Sequence, residues 1–456
     1  MTNGFLQVPP DSTGKKIFTQ EHILGPNTTQ VQVFHQADAL NPQYLQRIDY
    51  RGAATVRFSE GSPLSDSHGN LKVSQSKSIG SYDFVYDDAA DLFTDATLTG
   101  GTVTWSDTTH MITLGVTNAS GSYASRASDK YHYYLPGENN LIALTVGLSD
   151  SYQDGCERRW GAFDSNDGCY FDLDDLGVLK VSVRSSTSGS IIKAQVTRSN
   201  WNGDKLDGTG PSGFTLDLTK INIYWIDFQL GTGRVRYGVV NEMGDRVVCH
   251  TFTNANTSVL PHMRTAALPI QVNIENKRIT AGASSIKLVA ATVKAEGTQQ
   301  YTYWRYSNDL PTKVINTSNT YCIALKAKNI IGFNDHNGIG VYPDLLNVFV
   351  SGGSVRLDVY WDFMTLTSPT WLLDNGSAIV ADTGGVLILT GDEFKPVTFY
   401  VDAGSHNLDL SKYFEEWDIG LTSRYDHSTP QNIIVVASPL SGTPTLLGTI
   451  SYKELR

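Results

Sequence analysis

The sequence predicts a mainly β protein: an extended N-terminal arm, a jelly-roll-type β-sandwich and a second β-rich C-terminal domain. Three observations predict it. Aromatic and β-branched residues, which fit a pleated, half-buried surface, gather in short runs, and 22 Tyr and 8 Trp weigh toward sheets. Several runs alternate apolar with polar at period two, as half-buried strands do. Clusters of Gly, Asn, Asp and Pro punctuate them at short intervals, and 41 Gly supply many turns.

Residues 1–85 differ from the rest. Pro9-Pro10 and Gly25-Pro26 interrupt any early element, and apolar residues are scattered. Such a segment builds no core of its own, and we expect an arm lying across a partner, anchored by residues such as Arg51, Arg57 and Phe58. Residues 86–300 read as the sandwich. Leu98–Trp105 and His110–Val116 form a hairpin pattern, and Leu141–Val146 is apolar enough for a strand buried on both faces. Leu179, Val181 and Val183 alternate with Lys180, Ser182 and Arg184. At the centre, a turn-rich loop from Trp201 to Phe214 feeds a strand at Ile221–Phe228, and Gly231-Thr232-Gly233 turns it into Arg234–Val240. Residues 301–456 read as the second β domain, with clean alternation at Ser354–Trp361, an apolar strand at Asn432–Ala437 and one short helix within Leu408–Trp417.

Composition narrows the function. A chain of 456 residues exceeds one ordinary core and suggests two or three domains. The formal charge of −11 argues against binding a nucleic-acid backbone, which needs clustered cations. Cys156, Cys169, Cys249 and Cys322 are sparse and lack C-x-x-C spacing, so we expect reduced, structural thiols. Met1-Thr2-Asn3-Gly4 opens no basic-then-apolar signal, and no apolar run reaches the length of a membrane span. We therefore expect folding in a cytoplasm and no membrane insertion.

Several segments resemble a family of tailed-bacteriophage virion structural proteins. They are Arg51-Gly52-Ala53 through Arg57-Phe58-Ser59-Glu60-Gly61-Ser62-Pro63, Arg158–Asp164, Asp167–Phe171, Val183-Arg184-Ser185, Trp201–Gly213, Gly233–Gly238, His250–Phe252 with Asn254–Asn256, and Leu268-Pro269-Ile270. The resemblance covers roughly residues 45–280 and is ordered along the chain. It implies a structural role in the particle, a lectin-like jelly roll in the centre, and no catalytic residues.

Candidate chemistry is sparse. Gly208-Thr209-Gly210-Pro211-Ser212-Gly213 spells G-x-G-x-x-G, but a dinucleotide site needs a strand before it and a helix opening in it. A loop precedes it and a strand follows, so a plain loop is expected. Asp164, Asn166, Asp167, Asp172, Asp174 and Asp175 form the densest acidic cluster. Its oxygen ligands suit Ca²⁺, with Asp164, Asn166 and Asp167 the first candidates, although the order departs from an EF-hand loop. Two of these carboxylates would serve a glycosidase if they flanked a sugar cleft. The ten His are dispersed with no zinc-hydrolase spacing. Tyr301, Tyr303, Trp304 and Tyr306 offer rings for sugar stacking or for a subunit interface.

The expectation is a non-enzymatic virion protein without a cofactor, associated with the tail, baseplate or fibre. It would assemble with itself as a trimer, contact other virion proteins, and touch host-surface carbohydrate. A capsid decoration or head fibre is the first alternative. A polysaccharide depolymerase using carboxylates near Asp167 is the second.

Overall fold

The computed structural model describes residues 76–455 with short interruptions at 135–137, 230–232 and 297–302 and at several positions between 329 and 430. Within 1–75 it describes the backbone of five strands. The chain divides into two compact units, Met1–Lys72 and Val73–Arg456.

In the first unit β1 (Asn3–Gln7), β2 (Lys16–Leu24) and β3 (Asn27–Gln32) form an antiparallel sheet, and β4 (Arg47–Ile48) pairs with β5 (Ala54–Thr55). The segment expected as an extended arm thus holds a meander of its own. Arg51, Arg57 and Phe58 lie outside the described residues.

The second unit opens with β6 (Lys77–Asp83), β7 (Phe93–Leu98), β8 (Thr102–Ser106), β9 (Met111–Val116), β10 (Tyr123–Ser128), β11 (Asn139–Leu148), β12 (Cys156–Phe163), β13 (Gly168–Leu173), β14 (Leu179–Ser185) and β15 (Ile192–Thr197). β16 (Asn222–Gln229), β17 (Arg234–Val240), β18 (Arg246–Thr253), β19 (Ile270–Asn276) and β20 (Ser284–Glu296) complete a two-sheet sandwich. One sheet runs β15-β14-β13-β12-β19-β10-β7; the other runs β18-β17-β16-β11-β20-β9-β8, with β6 also on β20. The expected arm boundary at residue 85 is therefore corrected. β6 is hydrogen-bonded to β20, and its Ile79 and Tyr82 are buried in the sandwich core, so this sheet begins at residue 77.

Alternation fixes which side of each strand meets the core. Trp160 of β12, Phe171 of β13, Tyr224 of β16 and Tyr237 of β17 point inward. Phe171 bridges the sheets, with its ring 5.0 Å from Tyr224 and 5.5 Å from Tyr237. Trp160 lies 5.0 Å from Tyr224. Such offset and edge-to-face pairs add to the burial of large rings. All four cysteines are buried and free, as expected. Burial pushes the Cys156 thiol up to about 11, which leaves it unreactive.

The remaining elements are β21 (Tyr303–Val314), β22 (Thr320–Ala327), β23 (Ile330–Ile331), β24 (Asp335–His336), β25 (Gly340–Asp362), β26 (Leu372–Leu373), β27 (Ile379–Asp382), β28 (Val397–Val401), β29 (Gly404–Asp409), α1 (Ser411–Phe414) and β30 (Asn432–Leu455). β25 and β30 are long antiparallel partners whose register slips at Ser351/Gly353. There Gly352 and Gly442 adopt φ of 77° and 68°, the left-handed region that glycine enters freely. An irregularity of this kind bends the strand that carries it. One half carries β21 and β29, the other β22 and β28, and both contribute to one core. Tyr342 and Leu455 from these strands reach into the core of the first sandwich. Among the described residues no helix is long and apolar enough to cross a membrane.

Candidate functional site

The acidic cluster is split by β13. Asp164, Asn166 and Asp167 sit at its start, and Asp172, Asp174 and Asp175 at its end. The two groups have different fates.

At the start, Asp164 Oδ1 accepts from the backbone N–H of Asn166 and of Asp167, at 2.7 and 2.8 Å. Asp167 Oδ1 accepts from the N–H of Ser186 and of Arg264, and its Oδ2 accepts from Ser186 Oγ at 2.8 Å. These buried carboxylates tie three loops together. Of the three residues expected as Ca²⁺ ligands, Asp164 and Asp167 have carboxylate oxygens committed to loop donors, and among the described residues no group of three or more His, Cys, Asp or Glu side chains is placed to hold a metal ion. This end of the sheet face is also covered. The backbone N–H of Tyr425 donates to Asp129 Oδ1 at 2.8 Å, and Asp129 accepts from Thr94 Oγ1 as well.

The other end of the same face is partly exposed, from 12% at the Glu157 and Arg159 side chains to 38% at Lys277. On β12 the inward side chains are Cys156, Trp160 and Ala162, so Glu157 and Arg159 point outward. The register places Arg159 opposite Asp172 of β13, and Asp172 opposite Lys180 of β14. It also sets Glu157 directly opposite Glu275 of β19. Like charges facing each other across strands repel, and cations sit between them. Lys277 contacts both glutamates, at 3.1 Å from Glu157, and Arg159 pairs with Glu157. Arg159 Nε is 3.8 Å from Asp172 Oδ1, while Gln195 of β15 donates to Asp172 Oδ2 at 2.9 Å. Lys180 closes the row on Asp174 at 2.5 Å. The result is a ladder of alternating charge across four strands.

The two central carboxylates differ in proton affinity. Burial opposes ionisation of Glu157, but the Arg159 guanidinium and the Lys277 ammonium outweigh it and hold the carboxyl below its usual range. Asp172 is 1 % exposed. Burial, reinforced by the Glu157 charge, pushes it up to about 6 against the pull of Arg159, Lys180 and Lys193. A charged row merely bathed in water would show neither shift. Asp172 costs folding energy at neutral pH, and such perturbed groups concentrate at functional sites.

The ladder ends in a rim. Arg278 follows Lys277 and bridges Asp154 at 2.7 Å and Asp175 at 2.5 Å. Tyr152 Oη donates to Asp154 Oδ1 at 2.7 Å. Asp174 Oδ1 accepts from the N–H of Leu176 and Val178, which shapes the β13–β14 turn.

The other expected residues lie elsewhere. Tyr301 is outside the described residues. Tyr303 donates its hydroxyl to Glu415, Tyr306 stacks on Tyr452 at 6.0 Å, and Trp304 is exposed. Alternation along β21 places Trp304 and Tyr306 on one face of the strand and Tyr303 on the other. The G-x-G-x-x-G stretch is a loop, as expected: Asp204 accepts from the N–H of Leu206 and of Ser212, and Asp207 bridges Thr215. The sequence reading missed Glu157, Arg159, Lys277 and Arg278. Their signal was the outward phase of β12 and β19, legible only once the strands are paired.

No family model matches the chain, and no curated protein matches it. Similar solved structures include peanut lectin, 11% identical, covering 50% of this chain and 100% of that one at a TM-score of 0.30. A protein of unknown function from Shewanella oneidensis is 13% identical, covering 50% and 93% at 0.33. A glycoside hydrolase family 16 endo-glucanase from Bacteroides ovatus is 12% identical, covering 47% and 99% at 0.32. Likenesses this distant carry no argument about what the chain binds.

Proposed function

We propose that this chain is a structural protein of a tailed-phage virion, assembled with itself, that uses the open end of its seven-stranded sheet to hold host-surface glycan. The observation that carries the binding role is the charge ladder from Glu275 through Glu157, Arg159 and Asp172 to Lys180. Its side chains are held by one another, yet lie on a face that is partly open, with Lys277 38% exposed. Fixed donors and acceptors on a rigid sheet lose little freedom on binding, which suits a ligand with many hydroxyls. The virion role rests on the sequence resemblance. Its segments fall largely on β12, β13, β14, β17 and β18, and Trp160, Phe171 and Tyr237 among them pack the core.

Two measurements test the reading. Immobilised host-envelope polysaccharide should retain the full chain, and Arg159→Ala with Lys277→Ala should abolish retention. Cryo-electron microscopy of the particle should find this sheet end facing outward. A face buried against other virion proteins would refute the binding role. Density on the head would shift the assignment to a decoration or head fibre.

A second reading draws on the Glu157–Asp172 pair. The two carboxylates are diagonal neighbours on adjacent strands, each beside Arg159, and glycosidases use such carboxyl pairs on either side of the scissile bond. Protonated Asp172 would give its proton to the leaving oxygen while Glu157 takes one from the attacking water, so water adds across the glycosidic bond. The burial of Asp172 beneath Arg159 and Gln195 favours binding over turnover. Reducing-sugar release lost in both Glu157→Gln and Asp172→Asn would reverse that preference.

A further inference from the structure

We infer that Tyr152, Asp154, Asp175 and Arg278 form a stacking subsite for a neutral hexopyranose residue at the rim of this face. The inference rests on the reading of the open sheet end as a glycan surface and names the sugar chemistry that it takes.

The Tyr152 ring is held in place from below and from its edge. One face of the ring lies on the backbone of the β13–β14 turn. A Cβ at Gly177 would stand 2.4 Å from Tyr152 Cδ2, so only glycine lets the ring lie so close, and its φ of 78° suits glycine as well. The phenol is pinned through its hydroxyl to Asp154. The residue as a whole remains 44% exposed. A fixed, half-exposed ring is a platform for the apolar face of a pyranose, because the ring does not have to be ordered on binding.

Around the ring stand hydrogen-bond acceptors. The Asp154 side chain is 64% exposed and the Asp175 side chain 30%. Arg278 holds both carboxylates, and its own chain lies flat on Gly155, where a Cβ would come within 2.8 Å of Arg278 Cγ. Paired carboxylate oxygens accept from sugar hydroxyls. They repel a uronate or another anionic sugar, and the guanidinium that would attract such a sugar is already shared by Asp154 and Asp175. Exposed Leu176 and Ile279 flank the rim in sequence and extend its apolar border.

The test is binding of the full chain to an array of neutral gluco-, galacto- and manno-oligosaccharides, with oligogalacturonides as the acidic counterpart. Neutral oligomers should bind and the acidic ones should not. Tyr152→Ala should weaken binding about 3- to 10-fold, the size of one aromatic contact. Tyr152→Phe should retain most of it. Gly177→Ala, whose Cβ displaces the ring, should reproduce the loss. The thermal midpoint of Tyr152→Ala should match the parent, which separates loss of contact from loss of fold. Neutral oligomers bound equally by Tyr152→Ala but lost with Arg159→Ala and Lys277→Ala would overturn the subsite and leave the wider function standing. Preference for the acidic oligomers would overturn the neutral-sugar assignment. No binding to any glycan on the array would sink both.

Discussion

Asp172 and Asp167 are five residues apart on one hairpin, and their surroundings assign them opposite roles. Asp172 keeps a proton in the fold that the unfolded chain gives up near its ordinary value of 3.8. A raised carboxyl contributes stability that is fully present below the unfolded value and is lost as pH rises through about 6. Glu157 works the other way: its depressed carboxyl stabilises above the ordinary range, and that share is lost as pH falls through it. Urea unfolding of Asp172→Asn at pH 4, 5, 6 and 7 should therefore show little difference at pH 4 and a relative gain on the order of 2 kcal/mol at pH 7. A difference that stays constant with pH would dismiss the protonated Asp172. Asp167→Ala strands two backbone N–H groups and a serine hydroxyl in a partly buried place. It should cost about 2–4 kcal/mol of stability while leaving glycan retention unchanged, checked by unfolding and by the polysaccharide assay. At this scale the acidic cluster was legible in the sequence, but its division was not. Local spacing cannot reveal that Asp167 meets the N–H of Arg264, nearly a hundred residues away.

Among the elements, period-two alternation was the reliable signal. It placed Leu179, Val181 and Val183 inward, as found. It misled about the opposite side, where solvent is the usual neighbour of a polar row. Ser182 and Arg184 of the same strand are buried: Gln195 donates to Ser182 Oγ, and the Arg184 guanidinium lies over the Phe163 and Tyr170 rings. A covered polar face and a solvated one read alike in sequence. The hairpin of β8 and β9 and the one-turn helix α1 fell inside their expected segments. The bend of β25 and β30 did not announce itself, since Gly352-Gly353 and Gly442 look like ordinary turn residues. Gly442→Ala would place a Cβ 2.4 Å from the Gly352 carbonyl oxygen in a left-handed conformation. The conformation alone should cost about 1–2 kcal/mol, and the clash adds to it. Differential scanning calorimetry should show a clear fall in the unfolding temperature, and an unchanged midpoint would mean the corner tolerates a side chain.

At the scale of the whole molecule, the boundary between the two units decides where the chain can be cut. Met1–Lys72 and Val73–Arg456 are separately compact. A chain beginning at residue 73 should stay soluble and keep a strong far-ultraviolet β signature, less the share of β1 to β5. A chain beginning at residue 86 loses β6, whose Ile79, Tyr82 and neighbouring Phe84 fill the sandwich core. It should unfold at markedly lower denaturant or fail to fold. Equal stability of the two truncations would show that β6 is dispensable. If the arm role is right, the chain beginning at residue 73 should no longer join the particle, which purification of reconstituted virions would reveal.

The sequence by itself determined the β class, the inward phase of the strands, the loop nature of the Gly-rich stretch and the unreactive thiols. Each follows from chemistry between near neighbours: alternation, turn residues, and the spacing of sparse cysteines. Only the tertiary structure decided the site. Glu157 meets Asp172 through the β12–β13 register, and it meets Lys277 through pairing with a strand more than a hundred residues further on. Register is set by core packing and loop length across the whole sheet, so a constellation built from it has no signature along the chain. Which end of a polar face lies open depends on where distant segments cross it, and that too is a property of the folded molecule.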